Sequence, residues 1–421
     1  MTLEPIVTET IVANKKKPKY VNPSEFYANE MDSWTLLWDE DKSLYENIHD
    51  LVAGSVFLPN PAILNPLVTT YILMPSKWAR IAGVMFSFGD EGSGKSTIAK
   101  LANKIHGLKA TFSPTDTFAS IRNALDKMRW VDSFTKEFEK EGSILCWDNL
   151  HIETLKRDLK IYQLLLSGYD RATDRMQTAS SNGENKEYYV FCPKIISSVE
   201  PIHLYHEFAE LRRRLIVVPH KKFEKFSPEE RKYYQDVDIA HDRIDLDSFS
   251  WKGIENKYFD FWADEKHYST YVGWRKILTQ RGKKSFKIPS HVTSPKWTIT
   301  IDLVATGLTV GAWSDMQDAI DFFGNYWRYS DDCVYGQFSA TLEHLRQFVD
   351  EETEQAKKVN EAIVEAGGRA VPIIINPKKL KDRLAFLQAE GSLDITPKTA
   401  DITSLMWQMG YKLTTKGWLE R

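Results

Sequence analysis

An α/β fold built on a parallel sheet is what this chain predicts, and three observations carry the expectation. A glycine-rich turn, residues 89–97 (GDEGSGKST), lies between an apolar run, 81–88 (IAGVMFSF), and a helical pattern that starts at Thr97. A second apolar run, 143–149 (SILCWDN), ends in an acid at Asp148. Two further segments, YYVFCPKIISSVEPI from Tyr188 and LIVV from Leu215, are dense in β-branched and aromatic residues. Apolar runs without polar alternation suit strands covered on both faces, which is the situation of a parallel sheet flanked by helices.

The glycine-rich turn has the spacing G-x-x-x-x-G-K-S, met by Gly89, Gly94, Lys95 and Ser96. Strand, turn and helix come in the order a phosphate cradle requires. Gly92 and Ser93 fall inside the turn, where small residues let successive N–H groups turn inward. Those amides and the helix N-terminus, with Thr97, would hold phosphate oxygens of a nucleoside triphosphate. Lys95 would bring a point charge to the same oxygens, and the Ser96 hydroxyl would be a ligand of Mg²⁺. A P-loop core binding ATP and Mg²⁺ is therefore expected, over residues 76–226.

Composition sets the bounds. At 421 residues the chain can hold several domains, and 42% hydrophobic residues are enough for a folded core. Lys and Arg total 55 against 58 Asp and Glu, a formal charge of −3, so any nucleic acid must be held by local patches and not by a global field. The three cysteines, Cys146, Cys192 and Cys333, form no C-x-x-C, which argues against a zinc ribbon or a disulfide framework and for a reducing, cytoplasmic setting. No apolar run approaches the roughly 20 residues a membrane span needs, so no membrane partner is expected.

In chain order, residues 1–23 read as a solvated basic arm, with Lys15, Lys16, Lys17 and Lys19 around Pro18. Residues 24–75 turn helical, through SLYENIHDLVAGSVF and PAILNPLVTTYILM. After the helix that follows the glycine turn come a short strand candidate at 109–112 and a helix over 116–130. Asp148 is expected at the C-terminal edge of a strand beside the glycine turn, where its carboxylate could hold Mg²⁺. Asn149 follows it. Asparagine can orient a water but cannot take its proton, so hydrolysis is expected to be slow, or to use Glu153 or another carboxylate as base. Residues 188–202 are expected as one central strand, ending at Ser197 and Ser198, where a polar sensor of the γ-phosphate would lie; the same serines would serve equally as strand caps. Arg212, Arg213 and Arg214 then enter the strand 215–218, and an arginine here could reach the nucleotide of a neighbouring subunit.

This order of motifs resembles the ATPase core of plasmid- and phage-encoded replication helicases of the superfamily 3 type, within the AAA+ group of ring-forming P-loop enzymes. The resemblance covers roughly residues 84–218, and the glycine turn is its specific part. It rests on the glycine turn, the strand ending in Asp148, the LLLSGYDRATDRM segment, the FCPKIISS strand and the RRRLIVV strand. It implies an AAA+-like core and a homo-oligomer, with a hexameric ring favoured, driven by ATP along single-stranded DNA, with a primase or initiator as partner. Asn149 departs from the glutamate many such ATPases carry after the aspartate, and Glu210 is separated from the arginines by Leu211.

Residues 227–370 read as helical and rich in aromatics, most of them at core spacing. The segment 280–297 (QRGKKSFKIPSHVTSPKW) differs: Arg281, Lys283, Lys284 and Lys287 cluster around Phe286 in an expected loop, and basic residues interleaved with an aromatic suit single-stranded nucleic acid. Residues 305–329 and 341–366 are expected as further helices. The end of the chain, 371–421, resembles a winged-helix module, with 399–409 as recognition helix, 412–418 as wing, and Lys398, Lys412 or Lys416 as DNA contacts. The reading that unites these features is a DNA-replication helicase or translocase. Two rivals stay open: an ATPase switch that assembles an oligomer in defence or partition without unwinding, and a kinase sharing the same loop.

Overall fold

The computed structural model describes residues 38–420 apart from 108–110, 128–143, 174, 180–184, 201, 205–207, 238–242, 248–250, 337–338, 391–401, 404–405 and 407–410. The basic arm 1–23, Lys398 and most of the expected recognition helix 399–409 lie outside the described residues.

Helices α1 (Leu44–Ser55) and α2 (Pro61–Ile72) lead into β1 (Val84–Gly89), and α3 (Lys95–Ile105) follows the glycine turn. Next come α4 (Phe118–Lys127), β2 (Leu145–Trp147), α5 (Ile152–Arg157), α6 (Leu159–Ser167), the hairpin β3 (Arg175–Ala179) and β4 (Asn185–Tyr189), then β5 (Lys194–Ser198) and β6 (Leu215–His220). Four long helices follow: α7 (Lys252–Ala263), α8 (Glu265–Ser285), α9 (Ser294–Val310) and α10 (Met316–Gly336). The chain ends with α11 (Ser339–Glu365), β7 (Ile374–Ile375), α12 (Pro377–Ala389), β8 (Tyr411–Thr414) and β9 (Gly417–Glu420).

The fold is mixed α/β. A four-stranded parallel sheet has the order β2-β5-β1-β6, with Val84 opposite Lys194 on one side and opposite Leu215 on the other. Successive side chains of a strand point to opposite faces. Met85, Ile195, Ile216 and Val218 accordingly join one apolar cluster with α1, α2, α3 and the helices α7 to α10. Val84, Phe86, Trp147, Ile196 and Val217 join a second cluster. That cluster also takes in α6, Leu345 and Phe348 of α11, Leu380 and Leu384 of α12, and Trp418 of β9. With both faces buried, the sheet strands need no polar alternation, as their composition implied.

One expectation about strands is corrected. The segment 188–202 is not one strand: the chain leaves the β3–β4 hairpin, and β5 begins only after Pro193. Proline has no N–H to give a ladder, so it belongs at a strand's entry and not in its middle. Asp148 directly follows β2, which β5 separates from β1. Of the strand candidate 109–112, residues 109 and 110 lie outside the described residues, and Phe112 forms a bridge with Trp147. The expected helix 305–329 is two helices parted at Gly311, whose φ of 84° suits glycine at a helix end.

Two buried polar groups bind the layers to the sheet. The Tyr71 hydroxyl accepts the Lys194 amide at 2.8 Å and lies 2.8 Å from the Lys194 carbonyl, which fastens α2 to β5. The Asp302 carboxylate of α9, 1% exposed, accepts from the Ile81 amide (3.0 Å), the Tyr271 hydroxyl (2.5 Å) and Arg275 Nε (2.8 Å). Burial raises the Asp302 pKa, while Arg275 pulls it back. Among the described residues no helix is long and apolar enough to cross a membrane. Asp302→Ala leaves Tyr271 and Arg275 without their acceptor and should cost about 3–5 kcal/mol in denaturant unfolding; a loss below about 1 kcal/mol would contradict this account of the joint.

Candidate functional site

Three glycines shape the turn between β1 and α3. Gly89 has φ 149°, Gly92 φ 72° and Gly94 φ 85°. At Gly89 a Cβ would sit 1.9 Å from the His220 carbonyl oxygen, so only glycine lets β1 end against β6 there. Around Gly92 a Cβ would meet nothing within 4 Å, and its need is for the left-handed backbone alone. Gly94 caps α3 without a side-chain hydrogen bond, and in the first turn the Thr97 amide donates to the Gly94 carbonyl at 3.0 Å.

The loop is braced by its own side chains. Ser93 Oγ donates to the Asp90 carbonyl at 2.7 Å, and Asp90 is paired with Lys225 at 2.9 Å. Lys95, 8% exposed, folds back so that Nζ donates to the Gly89 carbonyl at 3.0 Å and to the Asp90 carbonyl. Burial lowers its pKa, and the Asp148 and Asp90 carboxylates oppose that shift. The Gly89 and Asp90 carbonyls that hold Lys95 are neutral acceptors that an incoming phosphate can replace.

Asp148 is where the separate elements meet. Its Oδ1 accepts from Ser96 Oγ at 2.7 Å, from the first turn of α3, and from Ser197 Oγ at the end of β5. Ser197 Oγ in turn accepts the Asn149 amide at 2.9 Å. Asn149 has φ 54°, a left-handed conformation that asparagine tolerates better than most residues. Its Nδ2 donates to His151 Nε2 at 3.1 Å, and His151 Nδ1 lies 3.9 Å from Glu200 Oε2. Glu200 itself accepts the Ile152 amide at 2.5 Å.

Of the residues expected from sequence, Gly89, Gly92, Ser93, Gly94, Lys95, Ser96, Thr97, Asp148, Asn149 and Ser197 come together at the C-terminal edge of the sheet. Ser198 does not join them: its hydroxyl donates to the Leu150 carbonyl at 2.7 Å and accepts the Glu200 amide at 3.0 Å, the capping role. Glu153 is exposed on α5, so Glu200 and not Glu153 is the carboxylate connected to Asn149 through side chains.

Arg212, Arg213 and Arg214 stand at the opposite end of the sheet. Val84 N–H donates to the Arg214 carbonyl where β1 and β6 begin, and the six residues from there to His220 span about 20 Å. Arg213 pairs with Glu210, Arg214 donates to the Glu210 carbonyl at 2.6 Å, and Arg212 Nε donates to the His203 carbonyl. Tyr169, Arg213, Arg214, Ser294 and Thr298 line a cavity of about 320 Å³ there. None of the three arginines can serve the glycine turn of its own chain.

The expected basic loop 280–297 is corrected in part. Helix α8 runs on to Ser285, so Arg281, Lys283 and Lys284 belong to its last turns, where cations suit the carbonyl end of the helix. Phe286, partly buried, packs on the larger apolar cluster, whereas Lys287 is exposed.

Two residues at the glycine turn had no signal in the sequence. His220, 3% exposed at the end of β6, sets Nδ1 3.2 Å from the Ser93 carbonyl, and among the described residues its Nε2 has no partner. Arg243 Nη2 donates to Thr97 Oγ1 at 2.8 Å. His220 could have been found only by knowing that β6 lies next to β1.

No protein-family model matches the chain, and no curated protein matches it. A solved structure described as "SCCmec type IV Cch - active helicase" aligns with 96% of this chain and 73% of its own, at 13% identity and a TM-score of 0.41. A likeness that loose carries no argument here.

Burial holds three histidines neutral: His106 is pushed down to about 4, and His203 and His220 to about 3. In the unfolded chain each titrates near 6.5. The folded pKa values are the lower ones, so their contribution is complete above about pH 6.5 and is lost as pH falls toward 4. Each such histidine then favours the unfolded chain by up to about 1.4 kcal/mol per pH unit. Unfolding free energy should fall between pH 7.5 and pH 5, with a shallower slope in His106→Gln; a flat profile over that range would contradict the buried neutral state.

Proposed function

We propose that this chain is a P-loop ATPase of the AAA+-like kind that works as an oligomeric ring on single-stranded DNA, a helicase or translocase of plasmid or phage replication. The observation that carries the nucleotide reading is the meeting of Ser96, Asp148 and Ser197 at one carboxylate oxygen, beside a lysine folded into a glycine turn.

The donor set fits a magnesium nucleotide. Ser96 and Asp148 are the hard oxygen ligands that Mg²⁺ takes, and bound there it would offset negative charge on the phosphate oxygens. Lys95 leaves the Gly89 and Asp90 carbonyls for the β- and γ-phosphates, and amides at the start of α3 hold the same group. Ser197, already on Asp148, would report whether a γ-phosphate is present. Asn149 orients the attacking water. His151 would take the proton on Nε2, exchanging the hydrogen bond it accepts there from the Asn149 side-chain amide, with the Glu200 carboxylate 3.9 Å from Nδ1 to offset the charge.

The position of the arginines supports the oligomer. A guanidinium about 20 Å from its own glycine turn can reach a nucleotide only across a subunit boundary. On this reading Arg212, Arg213 or Arg214 of one subunit completes the site of the next. Lys287 and the end of α8, with Lys412 and Lys416 on the β8–β9 hairpin, supply cations for DNA phosphates. The chain is proposed to act in the cytoplasm, with a primase or initiator as partner. Asn149 favours a second reading, since a site without a carboxylate beside the water suits a slow switch that assembles on a partner without unwinding.

Lys95→Ala and Asp148→Asn should each lower ATP turnover by about a hundredfold or more, and Asn149→Glu should raise it. Strand displacement on a forked duplex separates the two readings. ATP-dependent unwinding that is lost in Lys95→Ala supports the motor, whereas ATP binding and assembly without unwinding sinks it in favour of the switch.

A further inference from the structure

Arg243 reaches the glycine turn from a segment that carries no motif. Its Nε donates to the Ser55 carbonyl at 2.9 Å, and its Nη2 donates to the Thr97 hydroxyl at 2.8 Å. The next residue fastens the same segment to the end of α1, through the Ile244 amide and the Gly54 carbonyl at 2.8 Å. A Cβ on Gly94 would lie 3.3 Å from the same Nη2 atom, and 3.2 Å from Val56. The guanidinium is thus pressed against both the cap and the first turn of α3.

Both acceptors of Arg243 are neutral, and among the described residues no carboxylate stands within ion-pair distance of it. Neighbouring cations differ: Lys225 has Asp90 at 2.9 Å, and Lys104 has Asp247 at 3.3 Å. An arginine tied down by neutral groups beside an anion cradle keeps its electrostatic capacity for the anion.

Position along the loop says which part of the anion. The lysine of such a loop serves the β- and γ-phosphates, the following hydroxyl serves the metal, and the backbone amides cradle the α- and β-phosphates. Here the γ-phosphate end is marked by Ser96 with Asp148 and Ser197. Thr97 is one residue on, roughly 100° around the helix, and Arg243 is bonded to Thr97. We infer that Arg243 clasps the α-phosphate of the bound nucleotide within its own subunit, a contact that ADP and ATP share. This rests on the nucleotide reading above and adds the residue that retains the diphosphate after hydrolysis.

The test is titration of the full chain with fluorescent ADP and ATP in the presence of Mg²⁺, for the wild type, Arg243→Ala, Arg243→Gln, Arg243→Lys and Lys95→Ala. Arg243→Ala and Arg243→Gln should weaken ADP and ATP by the same factor, about tenfold or more, and Arg243→Lys should recover part of it. Glutamine keeps an amide donor for the Ser55 carbonyl or Thr97 but no charge, so it decides the matter even if the alanine variant folds poorly. Wild-type affinity in Arg243→Gln, or a loss confined to ATP, overturns the inference. If the wild type binds neither nucleotide, the nucleotide reading itself falls; if Lys95→Ala weakens binding and Arg243→Gln does not, the α-phosphate contact alone falls.

Discussion

One carboxylate oxygen, Oδ1 of Asp148, carries the constraint on which the candidate site depends. It accepts hydroxyls from two elements that are far apart in sequence, Ser96 at the start of α3 and Ser197 at the end of β5. Each hydroxyl can donate only one proton, and both give it to the same oxygen. That choice fixes the glycine turn, the second strand and the central strand relative to one another. It also holds two acidic and hydroxyl oxygens together where a divalent cation would need them. The sheet exists in the form it does so that these ends meet.

The layers keep that edge in register. One face of the sheet is sealed by the helices before it and by α7 to α10, and the other by α6 and the C-terminal helices. Tyr71 and Asp302 add direct bonds from those layers to the starts of β5 and β1. Both are buried polar groups whose partners are satisfied within the protein, which makes the joints specific and costly to break. The glycine turn is thereby held from below by the sheet, from one side by α1 and from another by the segment carrying Arg243.

Much of this was legible in the residues and some was not. The glycine spacing, with an apolar run before it and a helical pattern after, specified β1, the turn and α3, because each of those three needs a different and recognisable backbone chemistry. Asp148 was legible as a strand-end acid. Strand order was not, since β5 lies between β2 and β1 and periodicity says nothing about neighbours across a sheet. The break at Pro193 was readable in principle, from the missing N–H. Ser197 and Ser198 could not be told apart until the pleat sent one hydroxyl to Asp148 and the other to the Leu150 carbonyl. The arginines 212–214 were read as a unit, and only the direction of β6 shows that they lie at the far end of the sheet. Arg243 left no trace in the pattern, because a lone arginine in a polar segment is unremarkable until its contact with Thr97 is seen.

The proposed function requires that the Ser96–Asp148 pair and the glycine turn form one magnesium-nucleotide site. Calorimetric titration of ATP with and without Mg²⁺, in the wild type and in Asp148→Ala, tests it most directly. The account predicts that Mg²⁺ tightens ATP binding in the wild type and that this tightening disappears in Asp148→Ala, while weak metal-free binding through the turn survives. ATP binding that is indifferent to Mg²⁺, or a metal effect that Asp148→Ala leaves intact, would contradict it.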